Sequence, residues 1–213
     1  YFGMSVLGLP FGAAVLLAIV GSAALGMFSD RVAYRPLRNA PKISLLITAI
    51  GVSFFLENAF TVFFGGIPRA FPVPEYLETI ISFAGLTMPV SAIMVPILTA
   101  ILLAIILWGL YKTKYGMAIR ALAFDVGTVN LMGIDANRII SLVFGIGSAL
   151  AAVGGIFLVI NYPSIEPMMG VSVGLKAFSA AVVGGTGSVG GAVLGGLIIG
   201  FTEVVVIATL PEL

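Results

Sequence analysis

The 213 residues are 60% hydrophobic and only 9% charged, with a formal net charge of +1 and a mean hydropathy of +1.21. A soluble domain carries about 25% charged residues, so the composition excludes one and implies several membrane crossings. Near-neutral charge without a long basic run argues against a nucleic-acid partner. The absence of Cys and His removes thiolate chemistry, the usual transition-metal ligand and the usual general base, so no cofactor or metal site is expected.

The chain starts at Tyr1, and Tyr1 to Leu9 lacks the basic region of a signal peptide, so a true start upstream is expected. Residues 6–28 form the first apolar stretch long enough to span, since a crossing needs about 20 residues, with Pro10 tolerated in the first turn. The stretch 29–42, SDRVAYRPLRNAPK, follows as a loop with Arg31, Arg35, Arg38 and Lys42 against Asp30. A second span, 43–66, is interrupted by Glu57 and Asn58. The loop 67–89 carries Pro68, Pro72, Pro74 and Pro89, one base (Arg69), and Glu75 and Glu78 as a solvated face. Within it, TIISFAGLTM reads as a small hairpin turning at Ala84-Gly85.

The third and fourth spans are 90–111 and 139–161, and the stretch 162–173 then has Pro163, Pro167 and no Lys or Arg. Residues 174–210 are too many for one span and too few for two with a turn. They read as a half-helix 174–183, a glycine turn within GGTGSVGG (184–191), and a full helix 191–210. Lys176 is expected near the outer interface, and the irregular turn must face protein or a watery cavity. The fold class is therefore all-α: a single polytopic transmembrane helical bundle over 1–213, with a re-entrant or half-helix segment near the C-terminus.

Basic residues alternate between the connections, which by the positive-inside pattern puts 29–42 and 112–138 on the cytoplasmic side and 67–89 and 162–173 outside. The segment 112–138, KTKYGMAIRALAFDVGTVNLMGIDANR, is far longer than a simple connection needs. Gly116 opens a helix-prone piece, 117–124; Asp125 caps a second, 126–132, which Gly133 ends. Lys112, Lys114, Arg120 and Arg138 against Asp125 and Asp135 leave it at +2, a docking surface built from two short helices.

Gly185-Thr186-Gly187-Ser188-Val189-Gly190 spells G-x-G-x-x-G, but a dinucleotide site needs a soluble βαβ unit, so a tight turn with close helix packing is the better reading. Gly147, Ala151 and Gly155 form one small-residue stripe; Gly191 with Gly195, and Gly196 with Gly200, form two more, suited to close helix approach. Glu57, Asn58 and Glu203 are candidates for a translocation pathway, with buried structural roles equally open. Glu203, roughly mid-helix, needs a partner such as Thr202, water or another chain. No Walker A run or nucleophile motif is present, which points away from an enzyme.

Four runs, RVAYRPLR (31–38), LITAIGVSFFLEN (46–58), residues 116–158 and GLKAFSAAVVGGTGSVGGAVLGGLIIGFTE (174–203), resemble permease subunits of branched-chain amino acid ABC transporters, the LivH type. The resemblance implies an importer subunit in the plasma (inner) membrane of a prokaryote. Its partners would be a second homologous permease, two cytoplasmic ATP-binding subunits and an external solute-binding protein. It matches 112–138 to the ATPase-coupling region, with Arg120, Ala121, Asp125 and Gly133 at its recurring positions and Gly116 as a further coupling residue. Glu57 departs from the family, which commonly has Gln there, and the family's N-terminal helices and final segment have no counterpart here. The alternative is a secondary transporter or channel working alone, which membrane-embedded ionisable pairs would favour.

Overall fold

A computed structural model describes residues 1–5, 8–38, 40–74, 77, 79–83, 86–185 and 187–209. They fall into two units, Tyr1–Glu166 and Pro167–Leu213. Among the described residues, five helices are long and apolar enough to cross a membrane: Phe11–Leu37, Ile43–Phe64, Val90–Lys112, Ala136–Asn161 and Val189–Thr209. Large apolar side chains such as Val62, Phe63 and Leu197 stand exposed on them. In water such surface would be covered; in lipid it meets its own kind, while helical backbone satisfies its polar groups internally. The chain is a multi-pass membrane protein.

In the first unit, a short helix α1 (Phe2–Ser5) precedes α2 (Phe11–Ser29). The first span was expected from 6, but Pro10 is the N-cap in extended backbone, because a proline disfavours helix at the residue before it. Val6 itself lies outside the described residues. The larger correction is at the other end. The expected loop 29–42 is helical through a π turn, Asp30–Tyr34, and a 3-10 turn, Arg35–Leu37.

The reason is Asp30, which is 0% exposed. Its carboxylate accepts two hydrogen bonds from Arg38 Nη2, at 2.8 and 2.9 Å, and one from the Ser141 hydroxyl. Arg38 Nη1 also donates to Asn137 Oδ1. Ser141 and Asn137 belong to α7 (Ala136–Asn161), so this network ties the end of α2 to the start of α7. The two helices run antiparallel and close. Ser22 Oγ donates to the Ser148 carbonyl at 2.7 Å, and a Cβ on Gly26 would collide with Ser148 and the Phe144 carbonyl. Tyr34 stacks obliquely on Phe144 with ring centroids 4.8 Å apart.

Helix α3 (Lys42–Phe64) stops at Gly65, whose φ of 84° suits glycine. Two connections then meet: β1 (Arg69–Ala70) pairs antiparallel with β4 (Ser164–Ile165), Arg69 opposite Ile165. The hairpin is present as β2 (Ile80–Phe83) and β3 (Leu86–Pro89), in register Ile80–Pro89 to Phe83–Leu86. Its turn residues Ala84 and Gly85, like Glu75 and Glu78, lie outside the described residues. The β1–β4 pair and the Arg38–Asn137 contact put the connections at opposite ends of the helices: 67–89 with 162–165, and 29–38 with 112–138.

Helix α4 (Val90–Lys112) is followed at once by α5 (Lys114–Phe124) and α6 (Val126–Leu131). Gly116 does not open α5. Thr113 caps it, accepting from the Gly116 N–H at 3.1 Å and donating to the Gly109 carbonyl at 2.5 Å. Gly116 sits where a Cβ would strike the Gly109 and Leu110 carbonyls at the end of α4, which is why this position needs glycine. α7 starts three residues before the expected 139, because the Asp135 carboxylate caps it, accepting from the Asn137 N–H at 3.0 Å.

The second unit is a helical hairpin, α8 (Met169–Val183) and α9 (Val189–Thr209), each starting before the expected 174 and 191. Gly185 and Gly187 have φ of 90° and 112°, conformations that favour glycine. Helix, not strand, precedes this turn, which removes the dinucleotide reading; Thr186 lies outside the described residues. Gly191 and Gly195 do pack as expected: a Cβ on either would strike the Gly184 or Ala180 carbonyl of α8. Of the Gly196–Gly200 stripe, Gly200 faces open space and a Cβ on Gly196 would only reach van der Waals contact with Ala180 Cβ at 4.0 Å, so this stripe is not a close contact within this unit. Neither is the Gly147–Ala151–Gly155 stripe of α7, whose two glycines have open space where a Cβ would sit. The face that meets α2 instead carries Gly145, where a Cβ would come within 3.0 Å of Met27 Cγ.

Two substitutions test this packing. Arg38→Met leaves the Asp30 charge buried and unpaired, so thermal unfolding in detergent should show a loss of about 3–5 kcal/mol, with most of it recovered in Asp30→Leu/Arg38→Met. Gly116→Ala should destabilise the α4–α5 turn and lower folded yield, while Gly109→Ala, with open space for its Cβ, should leave it unchanged.

Candidate functional site

The expected coupling residues all fall on α5, α6 and the turns around them. Arg120 and Ala121 lie exposed on α5, with the Arg120 guanidinium 5.1 Å from the Tyr111 ring centroid. Asp125 caps α6 by accepting from the Gly127 N–H at 2.8 Å, and Gly133, with φ of 79°, lets the chain leave α6 for α7. Gly116 is buried against α4. These five residues thus do different jobs: Gly116, Asp125 and Gly133 shape the segment, while Arg120 and Ala121 are presented by it.

What the segment presents is apolar as well as charged. Phe124 is 92% and Leu131 89% exposed, and Met117, Val126 and Met132 are also exposed. The same segment carries Lys112, Lys114, Arg120, Asp125, Asp135 and Arg138, so it belongs at an aqueous boundary rather than in hydrocarbon. Exposed apolar patches rimmed by polar residues at such a boundary mark interaction surfaces. The inner side is fixed by buried Ala118, Val129, Ala136 and Ile139. A single non-helical residue, Thr113, separates α5 from α4, and a short turn separates α6 from α7.

Of the three pathway candidates, Glu57 and Asn58 are neighbours on α3 of the first unit, and Glu203 is on α9 of the second. Glu57 accepts from Ser53 Oγ at 2.9 Å on α3. Asn58, in a groove with Phe54, Phe55, Val62 and Phe63, donates back to its own helix at the Phe54 carbonyl, 2.7 Å. Glu203 lies in the other unit, and its partner is none of those expected: Lys176 Nζ is 2.5 Å from Glu203 Oε1, and Thr202 donates instead to the Ile198 carbonyl. The Lys176 side chain leans toward the start of α8 and that of Glu203 toward the start of α9, so in this antiparallel hairpin the two lean toward each other.

Sequence reasoning missed a cleft of about 350 Å³ between α2, α3 and α7, lined by Ser22, Ser29, Tyr34, Ser53 and Ser148 among apolar residues. Ser53, one turn before Glu57, connects that carboxylate to the cleft. The available signal was four serines scattered through otherwise apolar spans. It also missed the Asp30–Arg38–Asn137–Ser141 network, because Asp30 was read only as one charge in a basic loop.

Over residues 1–212 the chain matches the family described as branched-chain amino acid transport system / permease component. It is 38% identical over 204 residues to the high-affinity branched-chain amino acid transport system permease protein BraD of Pseudomonas aeruginosa, covering 94% of this chain and 66% of that protein. It is 39% identical over 190 residues to the corresponding permease LivH of Escherichia coli, covering 87% and 61%. The ribose import permease protein RbsC of Haemophilus influenzae is 37% identical over 119 residues, 53% of this chain and 37% of that protein. The chain thus spans just under two thirds of the length of the branched-chain relatives it matches. No solved structure matches it. A family match over nearly every residue, with five apolar crossing-length helices among the described residues, leads to one conclusion: the chain belongs to the branched-chain amino acid transport system permease component family.

Proposed function

We propose that this chain is part of the membrane-spanning permease of an ABC importer for branched-chain or related amino acids, in the plasma membrane of a prokaryote. Hydrolysis takes place on two cytoplasmic ATP-binding subunits that dock on 112–138. A second homologous permease completes the pathway, an external binding protein delivers solute, and residues 1–213 act as one permease domain. The observation that carries this reading is the α5–α6 surface. Exposed Met117, Phe124, Leu131 and Met132 sit beside Arg120 on a rigid segment joined directly to α4 and α7, at the end where Arg31 and Arg35 also lie. The positive-inside pattern supports placing that end in the cytoplasm.

The serine-lined cleft supports a path for a polar solute, since hydroxyls can replace water around ammonium, carboxylate or sugar groups. A stand-alone carrier is the second reading, favoured by the Lys176–Glu203 pair. The two separate cleanly in vesicles reconstituted with partner subunits. Uptake of leucine that requires internal ATP supports the importer; equal uptake without ATP supports the carrier; ribose uptake in its place would overturn the amino acid assignment.

The docking role makes its own prediction. Arg120→Glu should leave membrane abundance intact while lowering ATPase co-purification and uptake by about tenfold or more, because a reversed charge in a docking contact costs on the order of a few kcal/mol. Tyr111→Leu removes only the cation–π contact, worth about 0.5–1 kcal/mol at an exposed site, and should cost much less. Normal uptake at normal abundance in Arg120→Glu would end the assignment.

A further inference from the structure

The cationic residues at the end of α2 divide into two kinds. Arg38 is turned inward and engaged by Asp30 and Asn137. Arg31 and Arg35 make no side-chain hydrogen bond or ion pair among the described residues. Both line an open cleft of about 480 Å³ between α2 and α7, together with Arg138, Asp135, Met27 and Leu142. Among the described residues lining it, Asp135 is the one acid, and it is already engaged: it caps α7 and pairs with Arg138 at 3.3 Å. Three guanidiniums against one carboxylate leave the cleft at +2, beside the positive end of the α7 dipole.

We propose that this cleft binds the headgroup of an anionic phospholipid of the same leaflet. Guanidinium groups pair with phosphate oxygens through two parallel hydrogen bonds, a geometry that ammonium groups do not offer. The floor is apolar: Met27 and Leu142 lie in it and are exposed on the same two membrane helices. A bound phosphodiester would therefore have its acyl chains beside hydrocarbon-facing residues of α2 and α7, which a free anion in water has no use for. Net positive charge also selects among lipids. A zwitterionic headgroup brings its own cation against Arg31 and Arg35, whereas a glycerol-type headgroup brings only the negative charge. Basic pockets between membrane helices on the cytoplasmic side hold anionic lipids by this means. The inference requires only that the chain is a multi-pass membrane protein, so it stands or falls separately from the transport reading.

The test uses the full chain purified in neutral detergent, titrated with phosphatidylglycerol, phosphatidylcholine of the same acyl chains, or inorganic phosphate. Binding is read by lipid retention and by the shift in thermal unfolding. Phosphatidylglycerol should bind and raise the unfolding temperature, and the other two should not. Arg31→Gln/Arg35→Gln should weaken phosphatidylglycerol binding about twenty-five-fold, at about fivefold for each basic residue near the membrane surface. Where loss of charge prevents insertion, Arg31→Lys/Arg35→Lys keeps the charge but not the paired hydrogen bonds, and a severalfold loss is expected. Unchanged affinity in whichever variant folds would overturn the proposal. So would phosphatidylcholine binding as tightly as phosphatidylglycerol, or inorganic phosphate giving the same stabilisation as the lipid.

Discussion

A fully buried carboxylate anchors the first unit. Asp30 has exchanged water for Arg38 and the hydroxyl of Ser141, with Asn137 holding the second arm of the guanidinium. Desolvating both charges is costly, and the geometry repays it only because the carboxylate and guanidinium each find several partners. Much follows from that one contact. It continues α2 as helix beyond its apolar stretch, and it sets the start of α7 against the end of α2. It also turns Arg38 inward while Arg31 and Arg35 remain outside. The π turn at Asp30–Tyr34 fits this: an extra residue in a helical turn re-aims the side chains on it, and such turns gather at functional places.

The glycines express the same demand for close approach in lipid, where packing must come from shape rather than from water exclusion. Gly26 and Gly145 let α2 and α7 meet, and Gly191 and Gly195 let α9 lie on the carbonyls of α8. The space that a side chain would fill is taken by Ser148 and the Phe144 carbonyl at Gly26, by the Met27 side chain at Gly145, and by the Gly184 and Ala180 carbonyls at Gly191 and Gly195. Hydrogen bonding then follows proximity, as with Ser22 and the Ser148 carbonyl.

Features carried by local chemistry were legible in the sequence. Long apolar runs gave the crossing helices, Asp125 and Gly133 gave the ends of α6, and the run TIISFAGLTM gave the two strands of the hairpin. Features that depend on distant partners were not. Asp30 and Ser141 are 111 residues apart, and Lys176 and Glu203 are 27 apart, so neither pairing leaves a local trace. Glycine spacing showed that close packing was possible but not which face would use it. Gly147 and Gly145 differ by two positions and point to opposite sides of one helix. For the site, the 112–138 segment was visible as charge out of place between apolar runs, whereas the serine cleft needed three helices to be assembled first.

The junction of α4 with α5 has a mechanical meaning. A lone connecting residue would ordinarily be a free joint, with two soft dihedral angles to absorb any movement. Here the joint is clamped. Thr113 holds the last turn of one helix and the first of the next with a single hydroxyl, and Gly116 is wedged against main-chain oxygens of α4. The two helices therefore form a bent crank. Its long arm, 23 residues at about 1.5 Å each, reaches about 35 Å. A tilt of about 10° imposed on the short arm would swing the far end of the long one by about 6 Å, so a small rocking at one boundary becomes a displacement the size of an amino acid at the other.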